Sequence, residues 1–302
     1  MLKFLSPDRG SASEPYSYRS RAKLINTGQV ITDLEDVTED DIVVLGRIHE
    51  KEHVNKLRKL NIPFIHDICD NKYLPTDDPG AQAKLLSLWR HTNQFALAIT
   101  TTCDELKEYI QTKVDKPIFV IPDPTERDEE PVKFLFNNQI EMIYYGSWGN
   151  YEQLDLNKYK FKDTSLKIIT NQSKHYTFDT SKLIKWNFQT QGDLVRQSDI
   201  VLLPVNNDFE ISKYKGNNRP VDAIRQGRFV ITNATTKSWL KLKDFMWCGD
   251  IEEGFKWAIN NPVQVKEKIT LGQKYVRENY SVDVISKKWL EVYNVCHTRN
   301  FR

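Results

Sequence analysis

The chain has little of what redox or metal chemistry needs. Its four cysteines, Cys69, Cys103, Cys248 and Cys296, are widely spaced and form no C-x-x-C pair. That pattern argues against a disulfide framework or a zinc site and for free thiols in a reducing compartment. No apolar run approaches the roughly 18 residues of a membrane span, and the apolar start at Leu2–Leu5 is too short for the core of a signal peptide. The expected product is a soluble, cytoplasmic protein. The inner membrane surface is the other location that a basic face would allow. The first strand is followed by Pro7-Asp8-Arg9-Gly10-Ser11-Ala12-Ser13, with one glycine where a dinucleotide-binding loop has three. A G-x-x-x-x-G-K-[ST] phosphate loop is also absent, which disfavours P-loop nucleotidases. There is no D-x-D triplet, so a diphosphate would have to be neutralised by cations and helix ends rather than by a carboxylate-held metal. The net charge of +2 over 302 residues does not suggest nucleic-acid binding as the main role.

What is present is a β-α rhythm, with short apolar runs alternating with helical patterns. In the first half, strands are expected at Lys3–Leu5, Ile42–Gly46, Pro63–Asp67, Ala96–Thr100 and Ile118–Ile121. Helices are expected at 18–25 (ending near Gly28), 49–60 and 81–94, and from Thr102-Cys103-Asp104-Glu105, which has the form of a capping box. The run from Pro122 to Pro131 holds three prolines and many charges and reads as a linker. The pattern then restarts with strands at Glu141–Gly146, Leu166–Thr170, Ile200–Leu203 and Phe229–Ile231, a short apolar run at 182–186, and helices from 251 and 265 onward. Two α/β domains are expected, at 1–130 and 131–280, with a closing helix over 281–302. Ligands in such proteins bind at the carboxyl ends of the strands, here expected in a cleft between the domains.

The most informative stretch runs from Asp199 to Ile231: a buried strand ending at Pro204, a polar loop, a helix opening on Lys215-Gly216-Asn217-Asn218-Arg219, and a second buried strand. Free amides and the helix dipole attract anions there, and Lys215 and Arg219 add two cations. A solvated basic helix start is the plain alternative.

Other candidates follow strands. His66, Asp67 and Asp70 close the third strand and could meet sugar hydroxyls or an acceptor; loop capping and an internal histidine are the alternatives. His49-Glu50-Lys51-Glu52-His53 matches the H-E-x-x-H of zinc peptidases but has no evident third ligand. Gly146, Ser147 and Asn150 lie in a loop with two glycines that would let backbone approach a ligand. Asn171 could bond a ribose or base, or cap its loop. Trp186 could flank a nucleobase or pack in a core. Trp239, Trp247, Trp257 and Trp289 read as packing residues.

Together these motifs resemble the GT-B fold glycosyltransferases, in particular the group 1 (family 4-like) retaining type, over nearly the whole chain. The match rests on Asp67-Ile68-Cys69-Asp70-Asn71, Thr101–Glu105, Gly146–Asn150 and Asp199–Pro204. It also rests on Lys215, Asn218, Arg219, Asp222, Ala223, Gly227 and Val230, which fit a K-x-x-N-R-x-x-E-A-x-x-x-G-x-x-V pattern. Asp222 stands where the family has its second glutamate, and Tyr214 where it has the first. The resemblance implies two Rossmann-like β/α/β domains facing each other across a cleft, with a C-terminal helix crossing back. It implies metal-independent, retaining transfer from a nucleotide-diphosphate sugar, a co-substrate, with no cofactor. Lys215 and Arg219 would be catalytic. Gly146, Ser147, Asn150, Asn171, Trp186, Asn217, Asn218 and Asp222 would bind the donor. Arg9, Gly10, Ser11, His66, Asp67 and Asp70 would face the acceptor, a glycan, lipid-linked or other small molecule. The rival readings are a non-catalytic module that binds a sugar nucleotide or glycan, and a sugar-nucleotide epimerase. A phage-type DNA glucosyltransferase is a narrower variant, disfavoured by the near-neutral charge.

Overall fold

The computed structural model describes residues 1–6, 28–35, 37–46, 49–71, 73–74, 78–134, 139–151, 154–159, 161–171 and 183–300. The expected helix over 18–25 and the Arg9-Gly10-Ser11 loop lie outside the described residues. Two units emerge. The first comprises Met1–Glu126, Tyr214–Asn217 and Tyr280–Arg302; the second comprises Arg127–Lys213 and Asn218–Asn279.

The first unit holds a six-stranded parallel sheet: β1 (Leu2–Leu5), β2 (Gly28–Ile31), β3 (Ile42–Leu45), β4 (Phe64–Ile68), β5 (Ala98–Thr101) and β6 (Ile118–Val120), in the order β2-β1-β3-β4-β5-β6. Every residue of β3, Ile-Val-Val-Leu, is buried, as a parallel strand covered on both faces requires. Period-two alternation divides the side chains between two cores. Leu2, Phe4, Val44 and Ile65 pack with Ile285, Trp289 and Val292 of the closing helix, and Phe4 meets the Trp289 ring edge-on at 5.1 Å. Leu5, Val43, Leu45 and Phe64 pack instead with Val54 and Leu57 of helix α1 (Lys51–Lys59). Helices α2 (Pro79–Phe95) and α3 (Asp104–Gln111) follow β4 and β5.

Two details depart from the sequence expectation, and a third concerns the H-E-x-x-H alternative. β2 forms where a helix end was expected, and Gly28 is tight against β1: a Cβ there would lie 2.7 Å from the Leu2 carbonyl. The capping box at Thr102 does not form. Cys103 is the N-cap without a side-chain cap bond, and Thr102 Oγ1 donates to the Cys69 carbonyl at 3.3 Å. The H-E-x-x-H run is not a helical metal pair. His49 precedes α1 and both its ring nitrogens are engaged, with the Gly46 carbonyl at 2.6 Å and Thr92 Oγ1 at 2.9 Å. His53 Nδ1 accepts from the Glu50 amide at the helix start.

The second unit is also a six-stranded parallel sheet: β7 (Ile140–Gly146), β8 (Thr164–Thr170), β9 (Leu183–Lys185), β10 (Ile200–Leu202), β11 (Phe229–Thr232) and β12 (Trp247–Cys248), in the order β12-β11-β10-β7-β8-β9. Its helices are α4 (Trp148–Tyr151), α5 (Phe188–Gln197), α6 (Asn218–Arg225), α7 (Lys237–Leu240), α8 (Ile251–Asn260) and α9 (Pro262–Tyr280, of which Tyr280 groups with the first unit); α10 (Val282–Asn300) is the closing helix. Met142, Tyr144, Leu202, Phe229 and Ile231 form its core with Ile251, Phe255, Val265 and Ile269. The expected linker is held in place over its last residues. The Glu130 amide bonds the Arg225 carbonyl at 3.2 Å, and Gln273 Nε2 donates to the Glu130 carbonyl at 2.7 Å. Gly227, at φ 69°, turns the chain from α6 into β11, where a Cβ would come 2.5 Å from the Pro131 carbonyl.

Candidate active site

In the second sheet the chain runs outward from β7 through β8 to β9, then returns to build β10, β11 and β12 on the other side. β7 and β10 are therefore the switch point, the place where loops part and leave a crevice at the carboxyl ends of the strands. Gly146 ends β7, and α6 is the helix that follows β10. Gly146 and the start of α6, two of the expected donor elements, thus stand at the position where topology favours a ligand.

Arg219 is the best-defined member. It is the second residue of α6, and its side chain turns back to the end of β7, where Nη1 donates to the Tyr145 carbonyl at 3.3 Å. The Tyr145 hydroxyl donates in return to the Arg219 carbonyl at 2.8 Å, so the same two residues are tied by both backbone and side chain. The guanidinium carbon stands 5.4 Å from the Trp239 ring centroid, a cation–π contact with a buried indole of α7. Gly146 completes the cradle: a Cβ there would fall 2.6 Å from the Tyr144 hydroxyl and 3.1 Å from Arg219 Nη1. Only a glycine lets β7 end this close to the cation. Tyr144 is buried, and its hydroxyl has no hydrogen-bond partner at ordinary geometry. Burial raises its pKa, and the Arg219 charge pulls the other way. Arg219 itself is half-exposed, so the fixed cation is still open to a ligand. Tyr145 and Trp239 as supports of Arg219 were not read from the sequence. They act across the sheet, and no local pattern announces that.

Helix α6 opens Asn218-Arg219-Pro220-Val221. Pro220 sits in the first turn, where its missing amide costs nothing and its fixed φ suits the helix. The amides of Asn218 and Arg219 come before the first intrahelical hydrogen bond, the usual condition for anion binding at a helix start. Asp222 is buried on the next turn. Asn171 holds the neighbouring loop: its Oδ1 accepts from the Trp148 amide at 2.6 Å, fixing Ser147 and the start of α4. Ser147 is exposed, and the Asn150 amide bonds the Ser147 carbonyl at 3.0 Å. Trp186 is half-buried, with Nε1 donating to Gln191 Oε1 at 2.7 Å.

Lys215 and Asn217 belong to the first unit, with the segment Tyr214–Asn217. The Tyr214 ring lies 5.0 Å from that of Tyr109, and its carbonyl accepts from Cys103 Sγ at 3.4 Å. Gly216 is against Thr102, and Asn217 Nδ2 donates to the Tyr280 hydroxyl at 2.8 Å. Lys215 is half-exposed.

The acceptor-side candidates are placed differently. His66 is 1% exposed and donates from Nδ1 to Asn93 Oδ1 at 2.6 Å; burial lowers its pKa to about 3, so it is neutral. Asp67 is 2% exposed and accepts from Thr100 Oγ1 at 2.6 Å, across the β4–β5 pair. Both are buried, and these two bonds lie within the first unit. Asp70 is half-exposed at the loop that follows. Arg9, Gly10 and Ser11 lie outside the described residues. Among the described residues, no group of three His, Cys, Asp or Glu could hold a metal ion, and no helix is long and apolar enough to cross a membrane.

A scan of protein-family models and a search of curated protein sequences find no match. Solved structures do match. An α-glucosyltransferase in complex with UDP-glucose and DNA containing an abasic site aligns over 96% of this chain and 90% of its own, with TM-score 0.58 and 11% identity. An E. coli structure described as trehalose-6-phosphate bound with UDP-2-fluoro glucose aligns over 86% and 74%, with TM-score 0.57 and 10% identity. The α,α-trehalose 6-phosphate synthase of Burkholderia multivorans aligns over 88% and 73%, with TM-score 0.56 and 9% identity. With two six-stranded parallel sheets and alignments over most of both chains, the chain has the GT-B fold that its motifs resemble.

Proposed function

We propose that this protein is a glycosyltransferase that moves a sugar from a nucleotide-diphosphate sugar to an acceptor, with retention of configuration and without a metal. The observation that carries the reading is Arg219, a fixed cation at the switch point of the second sheet, seated on Trp239 and opposite the one residue that leaves it room, Gly146. Transfer from such a donor leaves charge on the departing diphosphate. A cation held in place before the bond breaks stabilises that charge more than it stabilises the intact donor, so it accelerates the step rather than only tightening binding. The amides at the start of α6 add fixed dipoles with the same sign of effect. Lys215, four positions earlier, is assigned the second cation by the resemblance. Asp222 is assigned the ribose hydroxyls, and Gly146 with Ser147 the approach of the phosphates. Asn171 and Trp148 hold that loop in shape.

The donor class has separate support. Two structural neighbours at 11% and 10% identity both carry a UDP-glucose-type ligand, whereas one is complexed with DNA and the other is named for a sugar phosphate. The donor side is the common element, so UDP-sugars are the first to test. Purified protein should be warmed with UDP-, GDP-, ADP- and dTDP-sugars, with and without EDTA, and the melting temperature recorded. A stabilising donor should then release nucleoside diphosphate when mixed acceptors are added. Release that is abolished by EDTA would remove metal independence. Binding with no release under any acceptor would leave a sugar-nucleotide-binding module.

A further inference from the structure

We propose that the first unit carries a second ligand site, distinct from the donor residues, that takes an anionic saccharide, a sugar bearing a phosphate or carboxylate group. A cavity of about 500 Å³ opens beside α2 and α3, lined by Tyr73, Arg90, Asn93, Tyr109, Lys113 and Lys116 among others. That volume falls within the range of small-molecule sites, roughly 300–1,000 Å³. Every described lining residue belongs to the first unit.

Its charge is unbalanced. Arg90, Lys113 and Lys116 face one carboxylate of the lining, Asp115, and among the described residues none of the three cations has an ion-pair partner. The end of α3, at Gln111, contributes a partial negative charge of roughly half a unit, too little to neutralise them. Lys113 Nζ is instead 5.3 Å from the Tyr109 ring centroid. Three cations around one cavity are a site for an anion.

The remaining lining suits a sugar ring. Tyr73 and Tyr109, both half-buried, lie with ring centroids 6.4 Å apart, and aromatic rings with phenol oxygens suit both the C–H groups and the hydroxyls of a sugar. Tyr73 is oriented from within. His66 Nδ1 donates to Asn93 Oδ1 at 2.6 Å, and Asn93 Nδ2 donates to the Tyr73 hydroxyl at 2.7 Å. The phenol oxygen is thus an acceptor in this chain, and its own hydrogen is left to donate to a ligand hydroxyl or anionic oxygen. The Tyr73 ring is fixed further by an edge-on contact with Trp89 at 5.1 Å. A buried histidine that positions a tyrosine at a cationic cavity through Asn93 accounts for why His66 is polar at all.

The site is independent of whether the second unit transfers sugar, and calorimetry on the full chain tests it. Glucose 6-phosphate and glucuronate are expected to bind, with glucose and inorganic phosphate each at least about tenfold weaker, a difference of about 1.4 kcal/mol. The double substitution of Arg90→Ala and Lys113→Ala, both exposed residues, should weaken glucose 6-phosphate about tenfold or more with the circular dichroism spectrum unchanged. Tyr73→Phe should weaken it less, and Arg219→Ala should leave it as it is. The proposal fails if neither anionic sugar binds, if the double variant binds as tightly as the parent, or if phosphate alone binds as well as glucose 6-phosphate. It fails too if Arg219→Ala removes the binding.

Discussion

The two units treat their nitrogen bases in opposite ways. In the second, Arg219 is kept charged and half-exposed, propped on an indole and a backbone carbonyl. In the first, His49 and His66 are sealed in neutral, their rings edge-to-face at 5.1 Å, with burial the main reason their pKa values are lowered. Both groups sit near strand ends, where a sequence reader looks for chemistry. The difference is what surrounds them. A cation with one face on an aromatic ring and the other open can meet a ligand. An imidazole with hydrogen-bond partners on the neighbouring helix serves shape.

Substitutions sharpen that contrast. Arg219→Ala should lower turnover by about 10²-fold or more with the fold intact, and Lys215→Ala by a similar factor. Initial rates of nucleoside diphosphate release decide both, and a near-parental rate for Arg219→Ala would sink the site. Gly146→Val should lower turnover by at least about tenfold, because any side chain there meets the Tyr144 hydroxyl and displaces the guanidinium. The loss should appear in kcat as well as KM.

The histidines predict a pH dependence of stability rather than of activity. His66 titrates at about 3 in the folded chain against 6.5 for an unperturbed imidazole. Between those values the unfolded chain binds more protons. The contribution is therefore complete above pH 6.5 and is lost as pH falls toward 3, by roughly 1 kcal/mol per pH unit. Urea midpoints measured down to about pH 4 should show the slope, and His66→Gln should flatten it. An unchanged slope in that variant would place the effect elsewhere. The smallest change expected is for Tyr145→Phe, which removes one hydrogen bond to the Arg219 carbonyl. A loss of about 1 kcal/mol corresponds to roughly fivefold in turnover.

Much of the fold was legible because parallel strands announce themselves. Ile42–Leu45 and Ile200–Leu202 are unbroken apolar runs, and Asn218–Arg225 keeps a helical pattern between two such strands. β2 escaped notice because its residues are Gly-Gln-Val-Ile, half-buried at a sheet edge, with a glycine that serves close approach rather than a helix stop. Arg219 was legible from its place at a helix start after a strand. Tyr145 and Trp239 were not: one reads as a strand residue and the other as core, and neither pattern shows that it also supports a cation. Thr102 shows the reverse, a capping signature whose hydroxyl finds a better-placed carbonyl on another loop.

The segment Tyr214–Asn217 has a further consequence for dissection. The polypeptide crosses between units at 126/127, 213/214, 217/218 and 279/280, so neither half is one continuous stretch of gene. A protease nick near residue 126 would still leave three covalent passages. A fragment expressed as 127–279 would carry Tyr214 without the Tyr109 ring and Asn217 without the Tyr280 hydroxyl. Its behaviour in isolation would report on four misplaced residues as much as on the second sheet.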